Sequence, residues 1–209
     1  MDNKGFIFEI IKLYQKARVS KFKDKKIRRG RSHSISAEAE DLFASFLLKK
    51  IGCDLVYVDQ PISISGRKAQ FYPDIVVIKN NKVVAFCDLK MDLGWKRSGL
   101  YIFCKKLKIS LNQIRNKDCK IRDGITKEDK HYTIHPDASF NVVVVSDQNI
   151  NPNMLKNHEK NIKKLGKDIE LFVLSRKEHP NTYGYAPREL LKKIFVEEAI
   201  FNKLIKKLK

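Results

Sequence analysis

Apolar side chains recur at helical spacing in five parts of the chain, and each is expected to form a helix. The second of these helices is expected to begin with Ser36 as its N-cap and to end at Gly52. The predicted helices cover residues 5–17, 36–51, 97–115, 152–165 and a terminal stretch that starts at Pro187.

Short runs rich in valine and isoleucine predict strands. The two clearest runs are separated by Asn80 and Asn81, so a hairpin is the expected connection. Residues 117–137 are polar and lack a period, which predicts a loop. The order of elements predicts an α/β fold, in which a central mixed β-sheet is flanked by helices on both faces. The predicted strands are 54–58, 61–65, 71–78, 82–89, 140–145 and 169–174.

The net charge indicates a partner. The 209-residue chain carries 43 Lys and Arg against 24 Asp and Glu, a formal net charge of +19. DNA fits such a charge, because neutralised phosphates release their condensed counterions. The alternative is that the lysines only cover a solvated surface. No stretch approaches the ~20 apolar residues of a membrane span, and the N-terminus lacks the pattern of a signal peptide. We therefore expect a cytoplasmic protein that binds DNA and no membrane.

The length of the chain predicts one domain with an N-terminal extension. Residues 1–35 are expected to form a helix and a basic arm, and residues 36–209 the main domain, which makes one compact unit with that helix. The four cysteines form no CxxC pair and no repeated spacing, so they are expected to be reduced thiols.

Two groups of basic residues are candidate DNA contacts. Arg28, Arg29 and Arg31 lie in the basic arm, which is interpreted either as a DNA-contacting segment or as a solvated linker. Lys96 and Arg97 are expected to touch the DNA backbone, because they follow the site described next.

The residues with the clearest chemistry lie at the open end of the predicted hairpin. Asp74 follows Pro73, and Asp88, Leu89 and Lys90 end the second strand. Two ionised carboxylates about 4 Å apart repel each other by ~4 kcal/mol at an effective dielectric near 20, so they need a cation or a shared proton, and a divalent metal would resolve the conflict. Carboxylate oxygens and the Leu89 carbonyl favour Mg²⁺, with Mn²⁺ as a substitute. Lys90 is expected either to orient the attacking water or to stabilise the negative charge that develops on the phosphate. The alternative is an edge-strand ion pair between Lys90 and Asp88.

This assignment requires a hairpin register that places Asp74 and Asp88 on the same face of the sheet. A two-residue loop with unbroken pairing would place Asp74 opposite Cys87, and the two aspartates would then emerge on opposite faces of the sheet. An odd loop, a bulge near Pro73 or an irregular start at Asp74 would bring Asp74 and Asp88 to one face. We predict one of these three.

The Pro73–Asp74 pair, followed by Asp88, Leu89 and Lys90, resembles the signature of the PD-(D/E)xK nuclease superfamily. That superfamily includes restriction endonucleases and nucleases of repair and recombination. Its core of a helix, three strands, a helix and a strand matches the order predicted for residues 36–145, about half of the chain. The resemblance implies a restriction endonuclease-like core and a magnesium-dependent active site at the three matched residues.

The resemblance also implies accessory residues. Members often carry an acidic metal ligand on the helix before the strands. Glu40 is chosen over Glu38 and Asp41, because it lies on the apolar side of that helix. The alternative is that Glu40 only stabilises the first turn of its own helix. Some members have a glutamine and then a tyrosine on the following helix. Here Gln113 is present as a possible accessory residue, but Lys117 stands in the tyrosine position, a departure from the exonuclease branch.

The expected function is that of an endonuclease on double-stranded DNA, of the restriction type and working as a homodimer. A repair, recombination or junction-resolving nuclease with the same residues is the alternative, and an RNA-processing nuclease stays open. A hypothesis from another class is a non-catalytic nucleic-acid-binding protein, which would need no metal. Base recognition is expected from residues 21–31 and 117–132.

Overall fold

The computed structural model describes residues 1–21, 26–27, 30–68, 70–94 and 98–209. The helices in this part of the chain are α1 (Asn3–Ala17), α2 (Ser36–Ile51), α3 (Leu100–Ile114), α4 (Pro152–Lys163), α5 (Pro187–Lys193) and α6 (Glu198–Leu208). The strands are β1 (Leu55–Val58), β2 (Ile62–Ile64), β3 (Ile75–Lys79), β4 (Lys82–Lys90), β5 (Asp118–Arg122), β6 (Asp129–Val144), β7 (Ile169–Val173), β8 (Ser175–Arg176) and β9 (Phe195–Val196).

Seven of the strands form one mixed and strongly curled sheet, a half-barrel. The order across it is β1-β3-β4-β6-β5-β2, and β7 pairs with β6. β6 runs parallel to β4 and to β7, whereas the other pairs are antiparallel. The predicted α/β class and mixed sheet are confirmed. β4 lies between two neighbours, so Lys90 is not on an edge strand.

Two hydrophobic clusters lie on opposite faces of this sheet. Along β4, Ala85, Cys87 and Leu89 pack with residues of α1, α2, α5 and α6, while Val83 and Phe86 pack with residues of α3 and α4. Helices therefore cover both faces, as the alternation of a strand between two packed layers requires. In the described part of the chain, no helix is long and apolar enough to cross a bilayer.

The first helix belongs to the first of these clusters. The ring of Phe6 lies 5.9 Å from that of Phe43, 5.3 Å from that of Phe46 and 5.9 Å from that of Phe201. Edge-to-face contacts of this kind add to the stabilisation from burial. α1 is thus packed against α2 and α6 through fully buried aromatic side chains.

The prediction of a loop over residues 117–137 was wrong. This segment contains β5 and the first part of β6, which pair along their length as an antiparallel hairpin. Cys119 and Ile121 point into the core, yet charged residues alternate with them and dilute the apolar signal. The predicted buried strand at 140–145 is the second half of β6.

Two helix boundaries also differ from the prediction. The single terminal helix is divided into α5 and α6, because Ile194 is extended and the next two residues, β9, pair with β8. Ser36 is the first residue of α2 and not its N-cap, which is Ile35 without a capping side-chain bond. The predicted end of α2 at Gly52 is confirmed by its left-handed φ of 62°.

Candidate active site

The β3–β4 hairpin turns at Asn80 and Asn81, whose φ angles of 50° and 57° are left-handed. Asparagine tolerates this region better than most residues, and two left-handed residues in succession are typical of a type I′ hairpin turn. The strands pair directly on either side of this two-residue turn. With unbroken pairing, Asp74 would have faced Cys87, and the aspartates would have lain on opposite faces.

A β-bulge changes the register within the hairpin. Val84 is inserted as an extra residue of β4, and the pairing shifts by one position there. Beyond the bulge the last pair is Ile75 with Cys87, so the next position brings Asp74 opposite Asp88. The prediction that the hairpin departs from unbroken pairing across a two-residue turn is confirmed. Of the three predicted departures, the structure has the bulge. The bulge lies closer to the turn than predicted.

The bulge brings the three matched residues together at the end of β4. Lys90 Nζ donates a hydrogen bond of 2.7 Å to Asp88 Oδ1 and lies 3.6 Å from Asp74 Oδ2. Asp88 is 8% exposed, whereas the side chains of Asp74 and Lys90 are 24% and 31% exposed. One ammonium group is therefore shared by two carboxylates.

Asp74 is held at the point where regular pairing with β4 stops. The Leu89 N–H donates to Asp74 Oδ2 over 2.7 Å, and the Asp59 N–H donates to the Asp74 carbonyl over 2.8 Å. The N–H and C=O of one strand residue point to the same edge in an antiparallel pair. The Leu89 carbonyl therefore faces the same side as the Asp74 carboxylate.

The pKa values of Asp88 and Lys90 are both raised, each by its surroundings. Burial raises the pKa of Asp88 above its ordinary value, and the Asp74 carboxyl raises it further against the opposing effect of Lys90. Burial lowers the pKa of Lys90, but the two carboxylates outweigh it and leave that pKa raised. In the part of the chain that the structure describes, Asp88 Oδ2 is buried and receives no hydrogen bond. A carboxylate oxygen without a donor, beside a second carboxylate and a carbonyl, suits a hard divalent cation.

Glu40 lies farther from the centre of the site. It is half-buried on α2, and burial together with the charges of Asp74 and Asp59 raises its pKa to about 7, against the effect of Lys90. Among the described residues, no three Asp, Glu, His or Cys side chains are grouped closely enough to hold a metal ion. The ligand set is thus two carboxylates with a carbonyl, and Mg²⁺ is commonly bound by one or two carboxylates, waters and substrate phosphates.

The predicted DNA-contacting residues fall mostly outside the described part of the chain. Arg28, Arg29, Lys96 and Arg97 lie outside the described residues, and Arg31 is exposed.

Gln113 is exposed near the end of α3. Arg115, two residues later, donates to the Ala138 carbonyl. Val144, which pairs with Lys90, is six residues farther along β6. At about 3.3 Å per residue the separation along this strand is roughly 20 Å. Gln113 is therefore at the opposite end of the sheet.

A second polar group lies beside the site, and sequence reasoning, which considered Asp92 only as a contact to the DNA backbone, missed its partners. Asp92 accepts hydrogen bonds from the Gly94 N–H (2.7 Å) and from Asn149 Nδ2 (2.9 Å), and His179 Nε2 lies 3.2 Å from its carboxylate. Burial raises the pKa of Asp92, but these donors outweigh it and leave the pKa lowered. The Asn181 N–H donates to His179 Nδ1. Nδ1 is thus an acceptor, which leaves Nε2 as the donor nitrogen of the ring. The spacing of Asp92 from Lys90 was a usable signal, whereas nothing marked His179.

Comparison of the chain with protein-family models, with curated proteins and with solved structures gives no match.

Proposed function

We propose that the protein is a divalent-metal-dependent nuclease of the PD-(D/E)xK type, with a restriction endonuclease-like core, that hydrolyses phosphodiester bonds in DNA. The observation that supports this most is the bulge at Val84. Without that inserted residue Asp74 and Asp88 would lie on opposite faces, and with it they meet beside Lys90. Structural stability alone gives no reason to place a buried carboxylate, Asp88, beside a second carboxylate with one ammonium between them.

Asp74, Asp88 and the Leu89 carbonyl would hold Mg²⁺ or Mn²⁺, with Glu40 near enough to adjust the charge of the site. A divalent cation bound there would supply Lewis-acid charge to a phosphate oxygen and would lower the pKa of a water molecule. The carboxylates that would hold it are themselves fixed, because Asp74 is anchored by the Leu89 N–H and Asp88 by the Lys90 ammonium.

Lys90 contributes a positive charge that does not depend on a metal. Its ammonium has three N–H donors, one of which is used by Asp88 Oδ1. Because Lys90 lies on the same face as Asp88, the remaining donors can orient the attacking water or stabilise the negative charge that develops on the phosphate.

The formal net charge of +19 supports DNA as the substrate, since a basic surface concentrates a polyanion around the site. The restriction-type homodimer and the repair or junction-resolving nuclease are two predictions that share the same site residues. The cytoplasmic location also stays a prediction.

The test is to incubate the purified protein with supercoiled plasmid and linear genomic DNA in Mg²⁺, Mn²⁺ or EDTA, and to map the ends that form. We expect cutting with either metal and none in EDTA. Binding without cutting in all three conditions would favour the non-catalytic nucleic-acid-binding protein and refute the nuclease.

A further inference from the structure

Two exposed tyrosines stand out on a segment that leads away from the candidate site. The segment 178–186, called here the tyrosine strap, carries Tyr183 with 59% and Tyr185 with 36% of their surface exposed. Tyr14 and Tyr57 are 8% and 7% exposed, and Tyr72, at 69%, lies outside this segment, so the strap is distinguished by carrying two exposed rings close together in the chain. Large aromatic rings that stay in water on a well-packed protein often mark a binding surface.

Both rings are held in place by basic residues. The Arg18 guanidinium lies 4.0 Å from the centre of the Tyr183 ring, and Lys193 Nζ lies 4.7 Å from that of Tyr185. Arg18 also donates to the carbonyls of Asn181 (2.9 Å) and Thr182 (3.0 Å). A ring fixed by a cation loses little further freedom when a second planar group stacks on it.

The basic arm begins and ends at this strap. Arg18 binds Asn181 at the start of the arm, and Asn181 Nδ2 donates to Ser32 Oγ (3.3 Å) just after it. The arm and the helix ends at the strap supply far more cations than acids, and the acids of the strap and of α5 are Glu178 and Glu189. The cations among the described residues are Lys16, Arg18, Lys21, Lys26, Arg31, Arg188, Lys192 and Lys193.

The strap also starts at the candidate site. His179 lies 3.2 Å from Asp92, which is two residues after Lys90. The Thr182 N–H donates to the His179 carbonyl over 2.8 Å, so the strap turns there and Tyr183 stays close to His179. Adding the lengths of chain and side chain along the path from Lys90 through Asp92 and His179 to Tyr183 gives an upper limit of roughly 30 Å for their separation. This is the length of about nine nucleotides at the 3.4 Å spacing of one DNA strand.

Resting on the nuclease function above, we propose that Tyr183 and Tyr185 form a stacking platform for unpaired bases of the DNA strand that enters the Asp74–Asp88–Lys90 site. Aromatic rings interleaved with cations are the general means of binding single strands without reading their sequence, because every base presents a stacking face. A platform of this kind gives no advantage with fully paired DNA. The substrate would therefore contain a single-stranded or branched segment, which favours the repair or junction-resolving alternative over the restriction type.

The test measures binding without cutting. Fluorescence anisotropy in EDTA compares the full chain with its Tyr183→Leu and Tyr185→Leu variants on oligodeoxythymidine of about 12 nucleotides and on a duplex of that length. We expect each variant to lose roughly 5- to 150-fold in affinity for the single strand and to keep its affinity for the duplex. Tyr183→Phe and Tyr185→Phe, which keep the ring, should bind like the wild type.

Salt provides a second discriminating readout. The loss in Tyr183→Leu should be the same factor at low and high salt, because stacking releases no counterions, whereas Lys192→Gln should make the salt dependence less steep. Equal losses on single strand and duplex, no loss in the leucine variants, or no single-strand binding by the wild type would each overturn the platform. A chain that binds through these tyrosines and cuts nothing would retain the platform and refute the nuclease.

Discussion

Two clusters of charged residues lie toward opposite ends of the second half of β6, and they differ in the balance of charge. At one end Asp168 receives hydrogen bonds from both Lys108 and Arg115, the latter over 3.0 Å. The bond from Lys108 is the main reason that the pKa of Asp168 falls to about 2. At the other end Asp74 and Asp88 share Lys90, and burial raises the pKa of Asp88.

The difference shows which cluster is complete without a ligand. One carboxylate between two cations is satisfied, and it ties α3 to the start of β7. Asp74 and Asp88 share one ammonium, so carboxylates outnumber cations there, and Asp88 Oδ2 has no hydrogen-bond donor among the described residues. Groups whose pKa is perturbed in this direction by burial and a like charge are typical of functional sites.

The largest effect is expected from neutralising either aspartate of the candidate site. Asp74→Asn and Asp88→Asn should each lower Mg²⁺-dependent DNA cleavage by at least roughly 10³-fold, above the loss of a single transition-state contact. Each should also bind DNA more tightly in EDTA, because a negative charge that faces the phosphate is removed. Asp168→Asn is the matched control and should cut normally in a single-turnover assay. Normal cutting by either site variant would remove the metal assignment.

A smaller effect on cleavage is expected from replacing Lys90, with Lys108 as the control. Lys90→Ala should fold, bind DNA and lose at least ~10²-fold in the rate of cleavage, since a contact to the developing charge is gone. Lys108→Ala removes a lysine from the other cluster and should leave the rate unchanged. Equal rates in the two variants would reduce Lys90 to an ion-pair partner of Asp88.

The effects on the free energy of unfolding should be the reverse of the effects on cleavage, so the control Asp168→Asn should lose more stability than Asp88→Asn. Asp168→Asn should lower the free energy of unfolding by about 1–3 kcal/mol, the range for hydrogen bonds between charged groups. Asp88→Asn should leave it equal or higher in metal-free protein, because a buried charge disappears while Lys90 keeps Asp74 as its partner. Urea unfolding at neutral pH measures both. A loss in Asp88→Asn as large as that in Asp168→Asn would contradict the contrast between the clusters.

The smallest effect concerns the pH dependence of metal-free protein. The pKa of Glu40 is raised from 4.5 to about 7, so the folded state binds a proton in this window that the unfolded state has lost. The unfolding free energy of the wild type should therefore fall as pH rises through this window, relative to Glu40→Gln. Unfolding curves at several pH values in EDTA measure the difference. Parallel pH profiles for the two proteins would separate Glu40 from the electrostatics of the site.

The need for an irregularity in the hairpin was predictable from the sequence, but its form and position were not. Unbroken pairing across a two-residue turn would have kept Asp74 and Asp88 on opposite faces, and an odd loop, a bulge or an irregular start at Asp74 would each have removed the conflict. Val84 lies between Val83 and Ala85, however, and nothing in these side chains distinguishes the residue that bulges. The chemistry of the site therefore predicted its local backbone more sharply than the hydrophobic pattern did.

Other parts of the molecule were hidden for different reasons. The β5–β6 hairpin escaped prediction because charged residues alternate with Cys119 and Ile121. The pairing of Asp92 with His179 joins residues that are distant in sequence and share no local pattern. Such contacts depend on the curl of the sheet and on the path of the strap. Neither can be predicted from the short-range pattern of residues in a single sequence.

The most direct test of the central claim is the binding of Mn²⁺ by the isolated protein, measured from the free Mn²⁺ signal in electron paramagnetic resonance. The wild type and Asp168→Asn should each take up about one to two ions per chain at millimolar Mn²⁺, and Asp88→Asn should take up none at that site. Uptake by Asp88→Asn equal to that of the wild type, or no uptake by the wild type, would contradict a metal site at Asp74 and Asp88.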